Sequence, residues 1–264
     1  MKKAGTNRIF ELDFLRGLAV FLMCLDHLVF DFYCLPYWFP LSDSPIIDGL
    51  GVFGDKVFFS DWRLALHYVF ATLFLLLAGV GSSLTRHHGK RILQIGGAAL
   101  LLTVATVLID LFLDLGATIV FGVLSAMTVG VVLCWLCSLF GEKAGKYIAL
   151  ALGIGIVAVG FSLPWYAAPE IRYPAWDDLW RVAVGTLHFG GDWFPVFPSS
   201  GVILIGYFLG KVLYRQRRSL IPALRGKTDY FFCPIGRKPL WIYLLHQPVI
   251  MGLLYLFVFL ISGD

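Results

Sequence analysis

LDFLRGLAVFLMCLDHLVFDF, residues 12–32, is apolar enough to lie in a bilayer, yet it carries Asp13, Arg16, Asp26, His27 and Asp31. With His27 as the zero of angle and about 100° per residue, Arg16 falls near −20°, and Asp13 and Asp31 both fall near +40°. These four side chains share one narrow stripe of a helix. Asp26 lies about 100° away, which predicts a partner of its own at a helix contact. Ionisable groups inside a span are costly unless paired or solvated, so they face the bundle interior or a water-filled cavity. The stripe is expected to line such a cavity. A rise of 1.5 Å per residue puts roughly 16 Å between Arg16 and His27, with Arg16 toward the cytoplasmic mouth and His27 toward the outer side.

The rest of the chain supports a membrane setting. An average soluble domain has roughly 25% charged residues and about half apolar ones; this chain of 264 residues has 14% charged and 59% hydrophobic, with a mean hydropathy of +0.81. Apolar windows predict helices near 12–33, 63–83, 92–112, 117–140, 146–163, 199–214 and 239–261. The expected fold is all-α: a polytopic transmembrane helix bundle of about seven spans. A re-entrant or amphipathic element near 178–188 would make an eighth. No internal repeat or low-complexity stretch divides the chain, which reads as one integral membrane domain over 1–264.

Charge distribution orients the bundle. With the N-terminus inside, the inner segments hold Lys2, Lys3, Arg8, Arg86, Lys90, Arg91, Lys143, Lys146, the cluster Lys211–Lys227, Arg237 and Lys238. The outer segments hold only Lys56, Arg63, Arg172 and Arg181. This asymmetry predicts a cytoplasmic N-terminus and an outer C-terminus. The leading MKKAGTNR precedes an apolar stretch too long and too charged for a signal-peptide core, so it is read as the cytoplasmic flank of a retained helix. Outer loops are acidic and aromatic instead, with Asp43, Asp48, Asp55, Trp38, Trp62, Trp165, Trp176 and Trp180. They form an interfacial belt or a surface that stacks on sugar rings. Net charge of +4, spread in this way, implies no nucleic-acid partner. Five cysteines without secreted-scaffold spacing give no disulfide framework, and no metal site is expected.

His27 and Asp31 are spaced i, i+4, which would let the carboxylate accept from one ring nitrogen and orient the other. A general base needs that arrangement; an internal ion pair fixing helix packing is the plainer reading. His67, near the outer end of the second predicted span, is placed to meet the His27 region. His246 lies in YLLHQPV beside Gln247 and Pro248, and a polar residue next to a proline inside a span often marks a cavity. His188 and Asp192 flank Gly190 and Gly191 in a loop, with Trp193 adjoining.

Four stretches carry a resemblance to a known family. LDFLRGLAVFLMCLDH, with Arg16 and His27 eleven apart, LFLLLAGVGSSLTR at 73–86, DWFPVFPSSGVILIGYFLGKVLY at 192–214 and PLWIYLLHQPVI at 239–250 together resemble the transmembrane acyltransferases. They are similar to the heparan-α-glucosaminide N-acetyltransferase catalytic-domain family and, beyond it, to the acyltransferase-three sugar O-acylating enzymes. The resemblance covers nearly the whole chain, in order. It implies an acyltransferase that takes an acyl group, usually acetyl, from cytoplasmic acyl-CoA and passes it to a sugar hydroxyl or amine presented from the opposite side. It would make His27 the catalytic histidine and place Arg16 near the donor. His27 lies within its helix, as in the O-acylating branch, whereas the lysosomal enzyme has its catalytic histidine beyond the helix end; hydroxyl and amine acceptors both stay open.

On this reading His27, oriented by Asp31, deprotonates the acceptor or carries the acyl group itself. Arg16, Asp13, His246 and Gln247 line the donor site, and His67, His188, Asp192 and Trp193 the acceptor site. The basic loops at 86–91 and 215–227 attract the nucleotide phosphates or simply obey the positive-inside rule. Acetyl-CoA is the co-substrate, and the partners are acyl-CoA, a carbohydrate or glycoconjugate acceptor, membrane lipid and, where the protein self-associates, a second copy as homo-oligomer. The single asparagine, Asn7, lies in no glycosylation sequon, which fits a bacterial cytoplasmic membrane. The alternative is a proton-coupled small-molecule transporter using the Asp13/Arg16/His27/Asp31 stripe.

Overall fold

The computed structural model describes residues 8–40, 44–113, 116–163, 167–171, 175–224 and 231–262. Lys2, Lys3, Asp43, Trp165, Arg172, Arg225 and Lys227, invoked above for the charge and aromatic patterns, lie outside the described residues. Among the described residues there are ten α-helices, in order α1 (Phe10–Trp38), α2 (Pro45–Phe58), α3 (Asp61–Leu84), α4 (His88–Leu113), α5 (Val123–Ser138), α6 (Glu142–Ser162), α7 (Leu179–Val184), α8 (Val196–Leu213), α9 (Phe232–Arg237) and α10 (Pro239–Ser262). Among the described residues there is no strand, only a single bridge between Glu170 and His188.

Among the described residues, six helices are long and apolar enough to cross a membrane: α1, α3, α4, α6, α8 and α10. Their outward side chains show why. Leu100, Phe112 and Leu260 are 66%, 82% and 68% exposed, a surface that suits lipid and is rare on soluble monomers. The fourth predicted span is shorter than 117–140: α5 has 16 residues, about 24 Å of helix. Its N-terminal side is a loop because the Asp110 carboxylate accepts from the backbone N–H of Ala117 and Thr118, at 2.7 and 2.6 Å, and from the Thr118 hydroxyl. Near 178–188 the chain forms only the six-residue α7, closed by Gly185 at φ +106°, too short to span.

The fold divides into two compact units, one of Leu75–Leu220 and the other of Arg8–Phe74 with Ile221–Asp264. In the first, α8 packs on α6 and α5, and α5 on α4. A Cβ on Gly201 would meet the Gly153 carbonyl, and one on Gly153 the Gly201 carbonyl; glycine here permits the close backbone approach that membrane helices use in place of a hydrophobic drive. In the second unit α1 packs on α2, α9 and α10. Leu35, Ile47, Leu254 and Val258 form its core at the C-terminal end of α1. At the other end, Gly17 lies against the Phe232 carbonyl and Gly236 against the Asp13 carbonyl, which seats the short α9 directly on α1.

Candidate functional site

The α1 stripe resolves into two groups, both within the second unit. At the N-terminal end the buried Asp13 carboxylate lies 3.6 Å from Arg8, 3.6 Å from Arg16 and 3.7 Å from Arg237. Arg16 is its i, i+3 neighbour; Arg237 comes from α9, held there by the Gly17 and Gly236 contacts. Arg8 and Arg237 were read above only as charges of the inner segments, and the sequence pattern did not join them to Asp13.

Roughly 16 Å along the helix, His27 meets α10. Its ring packs edge-to-face on His246, with centroids 4.7 Å apart and planes at 89°. His27 Nδ1 lies 3.1 Å from the Met23 carbonyl, one turn back on α1, and His246 Nδ1 lies 2.6 Å from the Tyr243 carbonyl on α10. A carbonyl oxygen only accepts, so each Nδ1 carries the proton, and in the neutral rings each Nε2 carries the lone pair. Beside this pair, Gln247 donates from Nε2 to Asp31 Oδ1 at 2.7 Å. Asp31 is fully buried. Its Oδ2, together with His246 Nε2 and Gln247 Oε1, is buried without a hydrogen-bond partner among the described residues. All three atoms are acceptors, so the arrangement suits a group that donates hydrogen bonds.

Asp31 therefore does not orient His27 through a direct hydrogen bond, contrary to the i, i+4 expectation. Helical side chains tilt toward the N-terminus, which brings the His27 ring onto the Met23 carbonyl behind it. The short Asp31 side chain takes its partner from α10 instead. Pro248, inside α10, cannot donate to the carbonyl four residues back, so His246 and Gln247 lie where the helix backbone is itself incompletely bonded.

Asp26 has its own partners, as its angle predicts, on α3. Arg63 donates to both carboxylate oxygens, and His67 Nδ1 lies 3.1 Å from Oδ2. The Arg63 guanidinium also lies 4.0 Å over the Phe58 ring. Arg63, counted above among the charges of the outer segments, is thus a counter-ion on a spanning helix. The signal was present: an intramembrane carboxylate off the stripe requires a cation, and the partner is 37 residues away.

The remaining candidates lie in the first unit. His188 and Trp193 are in ring contact at 4.8 Å, Trp193 donates to the Val182 carbonyl at 2.9 Å, and a Cβ on Gly122 would strike Asp192. These contacts order the loops over the buried Val182, Leu187 and Phe189. At the C-terminal end of α8, Lys211, Arg215, Arg217, Tyr214 and Glu142 line a pocket with Ser83 and Leu84. Among the described residues no three His, Cys, Asp or Glu side chains gather as a metal site.

An apolar helical protein with six helices able to cross a membrane among its described residues, and with imidazoles and carboxylates set into them, is an integral membrane protein. The family described as heparan-alpha-glucosaminide N-acetyltransferase, catalytic, matches residues 8–248, and the chain belongs to that family of membrane acetyltransferases. No curated protein and no solved structure matches it.

Proposed function

We propose that this protein transfers an acetyl group from cytoplasmic acetyl-CoA to a hydroxyl or amine of an extracytoplasmic sugar or glycoconjugate, with His27 as base or acyl carrier. The observation that carries the reading is the His27–His246 pair, whose Nδ1 protons are committed to backbone carbonyls. Such rings present Nε2 as a base or nucleophile in a fixed direction. Asp31 and Gln247 act beside them: their unpartnered acceptor atoms favour a hydrogen-bond donor, such as the pantetheine amide or the acceptor group itself.

Donor phosphates are assigned to the N-terminal end of α1, where Arg16 and Asp13 are joined by Arg8 and Arg237; guanidinium forks suit such oxygens. The basic pocket at the end of α8 is a separate candidate for the same chemistry. For the acceptor, His67 in one unit and His188, Asp192 and Trp193 in the other are separate candidates. The cytoplasmic N-terminus and a bacterial cytoplasmic membrane are part of the proposal and rest on the charge pattern and composition. Family membership favours the transferase over the transporter.

The test is acetyl transfer from labelled acetyl-CoA to glucosamine by protein in lipid nanodiscs. Wild type should transfer. His27→Ala, with its fold verified, should lose about 100-fold or more, the range of a lost base, and Arg16→Ala should weaken acetyl-CoA binding. A folded His27→Ala protein as fast as wild type would remove His27 from the mechanism.

A further inference from the structure

The pocket at the end of α8 lies wholly within the first unit. Lys211, Tyr214 and Arg215 are spaced i, i+3 and i+4 and so share one face of the helix end. Arg217 joins them through the turn that follows: its N–H donates to the Tyr214 carbonyl at 2.8 Å, and its backbone is left-handed, at φ +53°. A residue other than glycine adopts that conformation at a cost, and such strain gathers at ligand clamps. Ser83, near the end of α3, also lines the pocket; a Cβ on Gly210 would strike it, so the glycine lets α8 come close. Glu142, the first residue of α6, completes the polar lining. Three cationic side chains thus share the cavity with one carboxylate. Among the described residues no ion pair joins any of the three to an acid. The positive-inside rule accounts for cations at this end of the chain. It does not account for their convergence on one cavity or for the left-handed Arg217.

Size and setting narrow the ligand. The cavity measures about 70 Å³, several times the roughly 10–15 Å³ that admits a water and well below the roughly 300–1,000 Å³ of a site that encloses a whole small molecule. Such a space suits one phosphate group, whose oxygens accept from guanidinium and ammonium donors. α8 is long and apolar enough to cross a membrane, so its end lies at headgroup depth. Beside the cations, Val212 and Leu213 on the same helix end are 46% and 50% exposed. A phosphate site next to a lipid-facing apolar flank matches the two parts of a phospholipid, whereas a soluble nucleotide makes no use of the flank. We infer that the pocket holds the phosphate of an anionic phospholipid headgroup, with the acyl chains along the exposed flank of α8. The charge pattern assigns this end to the cytoplasmic side, where the anionic lipids of the leaflet attract basic clusters. The inference stands apart from the acetyl-transfer reading and does not require it.

Native mass spectrometry of the full chain in detergent, titrated with dioleoyl phosphatidylglycerol and separately with dioleoyl phosphatidylcholine, tests it. Wild type should retain phosphatidylglycerol in preference to the zwitterionic lipid. Arg217→Gly keeps the left-handed turn, which glycine adopts freely, and removes only the guanidinium, so its fold is safe. It should bind phosphatidylglycerol about fivefold more weakly, the loss of one cation near a headgroup, and the triple variant Lys211→Gln/Arg215→Gln/Arg217→Gln about 100-fold more weakly. The control Arg86→Gln/Lys90→Gln/Lys143→Gln, with the same loss of charge outside the pocket, should stay within about threefold of wild type. Acetyl-CoA affinity should be the same in wild type and Arg217→Gly. Equal weakening in the control would mean that net charge alone attracts the lipid, and would overturn the site. Unchanged lipid affinity in a folded Arg217→Gly protein would do the same. Displacement of the lipid by inorganic phosphate or by CoA at comparable concentration, or weaker acetyl-CoA binding in Arg217→Gly, would make this a soluble-anion or donor pocket and remove the headgroup assignment.

Discussion

Asp31 is buried to zero exposure, and the hydrogen bond its side chain accepts from Gln247 on α10 ties that helix to α1. Removing the donor alone leaves a carboxyl group in an apolar setting with both oxygens unpaired, at a cost of about 1–3 kcal/mol. Removing both partners leaves no such group. Gln247→Leu should therefore lower the thermal midpoint in detergent more than the double variant Asp31→Leu/Gln247→Leu does. The two changes should deviate from additivity by at least about 0.5 kcal/mol. Strict additivity would mean that the bond contributes nothing to the pairing of α1 with α10. The same residue marks the limit of sequence reading. The spacing of His27 and Asp31 put both on one face, and the structure keeps them there; the direction in which each side chain leans, which decides its partner, is set by the helix backbone and by α10, which is far away in sequence. His246 and Gln247 were legible from Pro248, but their bonds to Tyr243 and Asp31 were not.

Helices were legible where continuous hydropathy could speak, which is why seven apolar windows correspond to α1, α3, α4, α5, α6, α8 and α10. α2 was not, because its 14 residues with Asp48, Asp55 and Lys56 fall below the length of a span and above the usual length of a loop. α9, six residues long, has no periodicity to read; it exists by packing. Its seat depends on Gly17 and Gly236, at which any Cβ would enter a backbone carbonyl of the facing helix. Gly17→Ala should force α9 off α1, lower the thermal midpoint, and weaken acetyl-CoA binding by displacing Arg237 from Asp13. Gly252→Ala, in α10 where nothing lies within 4 Å of the new Cβ, should be neutral or stabilising by up to about 1 kcal/mol, the ordinary gain of alanine over glycine in a helix. Equal effects of the two substitutions would show that the α1–α9 contact is not what positions Arg237.

Across the whole chain, the transfer reading requires donor and acceptor to arrive from opposite sides of the membrane, and this depends on topology. The basic segments around Arg86–Arg91 and Lys211–Arg218 and the acidic, tryptophan-bearing loop around Asp177–Trp193 should lie on opposite sides if the positive-inside rule governs insertion. Glycines at positions 89 and 191 have no atom within 4 Å of an added Cβ, so a cysteine at either should leave the fold intact. In intact cells, a membrane-impermeant maleimide should label Gly191→Cys, and should label Gly89→Cys only after permeabilisation, with peptide mass spectrometry separating these sites from the five native cysteines. The opposite pattern would put the Asp13 arginines on the outer face, away from cytoplasmic acetyl-CoA, and would overturn the assignment of donor and acceptor ends. Labelling of both positions from one side would mean that the number of crossings between them is even. The 16-residue α5, shorter than the roughly 30 Å of a hydrocarbon core, would then be the helix that stops short of spanning.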